Sequence, residues 1–166
     1  SALVAARAPV ESSTGRPTPA GRIVSVQIDA VETPTFAGRE FGRAGRYERL
    51  TGRFSGELDP GDPQNAFIVN IDRAPRNARG QVEYSADFRI LKPLDLARGN
   101  RTILYDIVNR GSQRIFNLHH GLKGAYGAYP ADAGSLGDGL LLDQGYTLVW
   151  SGWQGDAPPE IGRAHV

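Results

Sequence analysis

The chain has 166 residues and a formal net charge of +1, from 19 Lys and Arg against 18 Asp and Glu. This length suits one domain with a hydrophobic core, and balanced charge without a basic block argues against nucleic acid as a partner. Because Cys is absent, disulfides, thiolate metal ligands and cysteine nucleophiles are excluded. The 21 Gly and 11 Pro are typical of a turn-rich, β-biased domain.

Residues 1–21 are rich in Ala, Ser, Thr and Pro and precede the first predicted strand. Ala6-Arg7-Ala8 resembles a signal-peptide cleavage site, which would indicate a periplasmic or secreted protein. The alternative is a flexible N-terminal extension of a cytoplasmic protein, and we favour the extension because no charged segment or full apolar segment accompanies that site. No apolar stretch approaches the roughly 20 residues of a membrane-spanning helix.

Residues 22–93 are predicted to form an antiparallel, β-rich region. In the first strand, polar residues alternate with an apolar set that predicts a half-buried face: Val24, Val26, Ile28 and Ala30. In YERLTGRFSGELD, Leu50, Phe54 and Leu58 share one face, and Gly52 and Gly56 between them indicate a bulged or twisted strand. Phe36 and Phe41, in the loop between these two segments, are expected to fold back onto the sheet.

Two further strands are predicted in this region. The turn DPGDPQN and the apolar run AFIVNID predict a strand paired with the preceding one. The clearest alternation in the chain runs from Val82 to Ile90, and Pro93 is expected to end that strand.

Residues 102–156 indicate a different architecture. TILYDIV and YTLVWSG are nearly continuous apolar runs, typical of strands covered on both faces. Between them, SLGDGLLLDQG predicts a short helix that ends at Gly145. Strand, helix and strand form a βαβ unit, so we expect a parallel pair and an overall β-rich α/β fold.

Familiar catalytic and ligand-binding motifs are missing. Each serine lacks the G-x-S-x-G frame of a nucleophile elbow. His119 and His120 are adjacent in an irregular segment without further ligands, so no metal site is predicted. Asp59, Asp62 and Asn65 are better explained by turn chemistry than by calcium. The glycines at 134, 137 and 139 do not match a dinucleotide-binding loop, and we predict no cofactor.

Two loops follow the two covered strands, at the sheet edge where α/β proteins bind ligands. The first contains Asn109, Arg110, Gly111 and Ser112, and the second contains Trp153, Gln154, Gly155 and Asp156. The structural alternative is that Gly111 and Gly155 only permit tight turns while Trp150 and Trp153 pack in the core.

Four segments carry a resemblance to a known family: ELDPGDPQNAFIVNIDRAP, GQVEYSADFRILKP, TILYDIVNRG and LLLDQGYTLVWSGWQGD. Together they resemble the N-terminal part of a bacterial family of alpha/beta hydrolase domain-containing proteins, whose members are several times longer. The resemblance covers about residues 22–159. It implies that the nucleophile, acid and histidine follow further on, and that Asn109, Arg110 and Gly111 occupy the loop that donates an oxyanion-hole N–H.

The last residues, Ile161 to Val166, match a translated DNA-sequencing adapter, since ATC-GGA-AGA-GCA-CAC-GTC encodes IGRAHV. We therefore expect residues 161–166 to be a non-native tail on an environmental gene fragment.

Two functions follow as expectations. The first is the N-terminal piece of a serine-type α/β-hydrolase, inactive as given, whose longer parent acts on an ester or related acyl bond of a small molecule. The second is a noncatalytic β-sandwich module, Arg22 to Ile90, that binds carbohydrate or a protein partner.

Overall fold

The computed structural model describes residues 20–108, 115, 136–153 and 155, together with the backbone of residues 164–165. Within these residues one mixed sheet contains β1 (Gly21–Glu32), β2 (Tyr47–Leu58), β3 (Val82–Pro93), β4 (Ile103–Ile107), β5 (Thr147–Ser151) and β6 (Ala164–His165). The described α-helix is α1 (Leu140–Asp143), and 3-10 turns lie at Phe36–Gly38, Pro63–Asn65, Ile71–Arg73 and Leu96–Arg98. The predicted β-rich class with few helices is confirmed.

The strands lie in the order β1-β2-β3-β5-β4, and β6 pairs with β3 at Ser85 and Ala86. Neighbours among β1, β2, β3 and β5 are antiparallel, whereas β4 and β5 are parallel. Parallel neighbours need a crossover connection, and α1 lies in the connection between β4 and β5. The predicted parallel pair is therefore confirmed.

The first strand forms as predicted, but its two faces differ from the prediction. The pairing of β1 with β2 shifts at two places, which makes Val24 and Asp29 extra residues in β1. Each bulge reverses the alternation. Ile23 and Val31 therefore join Val26 and Ile28 on one face, while Ala30 pairs with Thr51 on the other. The strand is exposed along most of its length rather than half-buried.

The glycines of β2 have a different role from the predicted one. β2 pairs with β3 without a register shift, so the bulges belong to β1. Gly52 lies opposite Phe88 and Gly56 opposite Tyr84. A Cβ at Gly52 would lie 2.0 Å from the Gln27 carbonyl oxygen, and one at Gly56 would lie 2.3 Å from Tyr84 Cζ. These glycines leave room for aromatic rings of the partner strand.

The predicted strand AFIVNID is wrong. This segment consists of turns, and Phe67 and Val69 are 82% and 85% exposed. Successive i→i+3 hydrogen bonds hold it, including Ile68 N to Asn65 O at 3.0 Å, and Asn70 adopts a left-handed conformation with φ 61°. Local turn chemistry outweighs apolar composition here, and β3 is the hairpin partner of β2.

The predicted helix is confirmed as the single turn α1, which ends at Gly145 as expected. Gly145 has φ 79°, its N–H donates to Leu142 O at 2.9 Å, and the Tyr146 N–H donates to Leu141 O at 3.1 Å. This pair of bonds is the Schellman ending, which favours glycine at the left-handed position. The Tyr47 hydroxyl of β2 contacts the carbonyl oxygens of Leu142 and Tyr146 at 2.9 and 3.1 Å and fixes this end to the sheet.

One face of the sheet carries the core. Phe36 and Phe41 fold back onto it as predicted, and Phe41 packs edge-on against Tyr47 with ring centroids 5.6 Å apart. The core cluster contains Phe36, Phe41, Ala44, Tyr47, Leu91, Val108, Leu136, Leu141, Leu142, Leu148 and Trp150. It is concentrated where β3, β5 and β4 meet α1 and the β1–β2 loop.

The opposite face is apolar and is exposed along β1 and β4, whereas Val82, Ala86 and Phe88 of β3 are buried on it. One row across the sheet consists of Val31, Leu50, Ile90, Val149 and Tyr105. The side chains of this face that are at least half exposed are Ile23, Val26, Ile28, Val31, Ile103, Tyr105 and Ile107. The prediction that TILYDIV is covered on both faces is therefore wrong for the described residues, because Ile103, Tyr105 and Ile107 are exposed on this second face.

Candidate functional site

The candidate site lies where β4 and β5 end. Because the two strands are parallel, and Ile107 pairs with Ser151 as their last residues, both chains leave the sheet at the same edge. We call Asp106–Val108 and Ser151–Trp153 the carboxyl edge. This is the position at which α/β sheets present loops to ligands.

Hydrogen bonds connect the two halves of the carboxyl edge. The Trp153 Nε1–H donates to the carbonyl oxygen of Val108. Within β5, the Trp150 Nε1–H donates to Asp106 Oδ2 at 2.8 Å. The backbone N–H of Ile115 donates to the same Asp106 oxygen at 3.2 Å, so this carboxylate also holds a residue of the segment that follows β4. The start of each loop is thus fixed by the other strand.

The two tryptophans differ in burial. Trp150 is 2% exposed and belongs to the core, whereas Trp153 is 56% exposed. The structural alternative, in which both pack in the core, is right for Trp150 and wrong for Trp153. With its Nε1 engaged by Val108, the Trp153 ring has a defined position and presents an apolar surface to solvent at the carboxyl edge.

Only part of the predicted site falls on described residues. Trp153 lies at the carboxyl edge as expected, and Gly155 is exposed in a turn just beyond it. The predicted residues outside the described part of the chain are Asn109, Arg110, Gly111, Ser112, Gln154 and Asp156. Their grouping with Trp153 stays a prediction.

Asp106 is the functional candidate that sequence reasoning missed. It pairs with Trp150 on the covered face, between apolar neighbours in the strand. A carboxylate in this setting requires donors, and the Trp150 indole and the Ile115 backbone supply two. The signal in the sequence was the single charge inside TILYDIV. Its described hydrogen bonds hold the Trp150 indole and the Ile115 backbone beside β4.

A second polar cluster, near the carboxyl end of β2, is structural. The Glu57 carboxylate is 3% exposed and accepts hydrogen bonds from Arg22, Asn77 and Arg79. The Arg79 hydrogen bond, followed by that of Arg22, holds the pKa of Glu57 below its ordinary value. Its lone pairs are occupied by the protein, so the cluster ties the start of β1 to the β2–β3 loop.

The DPGDPQN segment forms turns, as predicted. Asp59 Oδ1 accepts from the Gly61 N–H at 2.8 Å, and Asp62 Oδ1 accepts from the Gln64 N–H at 2.8 Å. The Asn65 amide donates to the carbonyl oxygens of Ala20 and Asp59 at 2.6 and 2.8 Å. In the described ranges, no three side chains of His, Asp or Glu are grouped as a metal site requires.

No helix within the described residues has the length and apolar character needed to cross a membrane. Comparisons with protein-family models, with curated proteins and with solved structures find no match to this chain.

Proposed function

We propose that this chain is the amino-terminal part of an α/β-hydrolase-like enzyme that cleaves an ester or related acyl bond of a small molecule. The observation that carries the proposal is the parallel β4–β5 pair beside the antiparallel strands β2 and β3. β4 precedes β5 in the chain, but β5 lies between β3 and β4 in the sheet.

The strand order supports the proposal by analogy. An α/β-hydrolase sheet begins with an antiparallel pair and continues with a strand, a helix and a parallel strand that inserts beside the pair. Here β2, β3, β4 and β5 follow that sequence of pairings, with α1 in the crossover. Fold analogy alone does not assign chemistry, so the functional argument depends on the carboxyl edge.

In an α/β-hydrolase the loop after this first parallel strand donates one N–H to the oxyanion of the tetrahedral intermediate. Asn109 to Ser112 directly follow Val108 and have that position in the chain. The bonds of Asp106 to Trp150 and of Val108 to Trp153 support the role, because they fix the backbone from which the loop begins. A preorganised donor stabilises the oxyanion without reorganisation during the reaction.

The apolar face and the edge strand β4 also support the proposal. Ile103 and Ile107 of β4 are 67% and 73% exposed, and β4 forms one edge of the described sheet. An apolar face of this extent requires a further layer of protein. In the proposal, additional strands pair with β4 and bring the nucleophile, acid and histidine to the carboxyl edge.

The binding-module alternative receives less support. A β-sandwich built from Arg22 to Ile90 would close on itself through its own strands. Here β3 pairs with β5 through Phe88 to Leu91, so the β-rich region continues into the parallel pair as a single sheet.

Recovery of the native gene from independent DNA tests the proposal. We expect an open reading frame that continues beyond the codons of this chain and encodes a G-x-S-x-G serine with an acid and a histidine. A native stop codon directly after Val166, or a full-length gene without such a set of residues, would overturn the proposal.

A further inference from the structure

A concave surface lies at the amino ends of β4 and β5, opposite to the carboxyl edge. It has a cavity volume of about 410 Å³ and is lined by Arg43, Ala97, Arg98, Gly99, Asn100 and Arg101. The Asn100 N–H donates to Gly145 O and the Thr147 N–H donates to Thr102 O, both at 3.0 Å, which ties the surface to the start of both strands. We call these six residues the arginine pocket.

The arginine pocket concentrates positive charge. Three of its six lining residues are arginines, while the whole chain has a formal net charge of +1. The ion pairs of the described residues involve other cations, namely Arg22, Arg49, Arg53, Arg79 and Lys92. The nearby carboxylate of Asp95 accepts a hydrogen bond from the Ala97 N–H at 3.0 Å. A cleft with one sign of charge attracts ligands of the opposite sign.

Contacts with the protein backbone fix the position of the Arg98 guanidinium. Its Nε–H donates to the Arg43 carbonyl oxygen at 2.8 Å. Its guanidinium packs against Gly45, where a Cβ would lie 2.5 Å from Arg98 Nη1, and Gly45 has φ 75°. Glycine is therefore needed here both for the backbone conformation and for the guanidinium. The terminal nitrogens of a fixed guanidinium lose less freedom on binding an anion.

Arg101 has a backbone conformation that is unfavourable for a residue other than glycine. Its φ is 62°, in the left-handed region that glycine adopts readily. Asn100 Oδ1 accepts from the Thr102 N–H at 2.8 Å and closes the turn around it. Strained non-glycine residues of this kind cluster at active sites and ligand-binding sites, where the surrounding structure maintains them.

We propose that the arginine pocket binds a phosphate group, either free or as the monoester of a small molecule. Guanidinium groups bind phosphate oxygens in paired, charge-assisted hydrogen bonds. Phosphate near neutral pH carries up to two negative charges, which suits three arginines better than the single charge of a carboxylate. The site is at the opposite end of β4 and β5 from the carboxyl edge and does not depend on the hydrolase assignment.

Isothermal titration of the full chain with inorganic phosphate and with glycerol phosphate tests the proposal. We expect saturable binding of at least one of them, weakened by added salt because the attraction is electrostatic. If glycerol phosphate binds at least as tightly as inorganic phosphate, the ligand class is a monoester; if only inorganic phosphate binds, it is the free ion. Tighter binding of citrate than of both, or no saturable binding at millimolar concentration, would overturn the proposal.

Three variants locate the site. Arg98→Ala and Arg101→Gly should each weaken binding about 10-fold or more, as expected for loss of a charge-assisted hydrogen bond. Arg73→Ala removes an exposed arginine from the β2–β3 loop, at the far end of the hairpin, and should change affinity less than about 2-fold. Glycine suits the backbone at 101, so a thermal melt no lower than that of the parent chain excludes unfolding as the cause. Equal losses in all three variants, or unchanged affinity in Arg101→Gly, would contradict the assignment.

Discussion

The bond between Tyr47 and the end of α1 allows a quantitative prediction about stability. Tyr47 is fully buried, and its hydroxyl lies 2.9 Å from Leu142 O and 3.1 Å from Tyr146 O. Burial, and then the nearby Asp143 carboxylate, raise the pKa of the phenol, which therefore stays protonated and remains a donor. Tyr47→Phe keeps the ring against Phe41 but removes the donor.

The expected cost is about 0.5–1.5 kcal/mol of unfolding free energy, the net contribution of one hydrogen bond, because Leu142 O keeps the Gly145 N–H as a second donor. For a chain of this size, about 2–4 °C per kcal/mol corresponds to a Tm lowered by roughly 1–6 °C. Thermal unfolding followed by tryptophan fluorescence measures it, since Trp150 lies in the same core cluster. Tyr84→Phe is the matched control, because Tyr84 lies over Gly56 on the apolar face. If both variants melt at the temperature of the parent chain, the α1 anchor does not contribute as inferred.

Three further predictions follow from the described contacts. The pKa of Glu57 is lowered in the folded chain, so its contribution to stability is present above the ordinary value of 4.5 and is lost as pH falls through the folded-state pKa. When Tm is measured at decreasing pH, it should therefore fall less for Glu57→Gln than for the parent chain. Gly52→Ala should destabilise by about 1–3 kcal/mol or prevent folding, since its Cβ would lie 2.0 Å from a β1 carbonyl oxygen, whereas Gly61→Ala, with its nearest atom at 3.3 Å, should cost far less in the same urea titration. Val26→Lys places a charge on the apolar face, where Val26 is 63% exposed, and should reduce hydrophobic-dye binding and self-association. Unchanged dye binding would show that the dye does not bind to this face.

The sequence pattern correctly predicted the strands β3, β4 and β5. The alternation from Val82 to Ile90 became β3, and the apolar runs around Tyr105 and Val149 became the parallel strands β4 and β5. Bulges were not predictable from alternation, because the extra residues Val24 and Asp29 exchange the two faces within an unbroken strand.

Apolar composition failed as a guide to burial in two places. AFIVNID forms turns held by local backbone hydrogen bonds, and Phe67 remains exposed. TILYDIV is a strand, yet Ile103 and Ile107 are exposed because cover depends on distant parts of a protein. The hydrogen bond between Asp106 and Trp150 could not be predicted from the sequence either, because it depends on the register of β4 and β5.

The hydrolase proposal is tested most directly by fluorophosphonate labelling of the full-length gene product. We expect one covalently labelled serine, located outside this chain in a G-x-S-x-G sequence, and no label on its Ser→Ala variant. We also expect Trp153→Ala, which removes the aromatic surface at the carboxyl edge, to slow labelling without abolishing it. A folded full-length protein in which no serine reacts would contradict the assignment of this chain to an α/β-hydrolase.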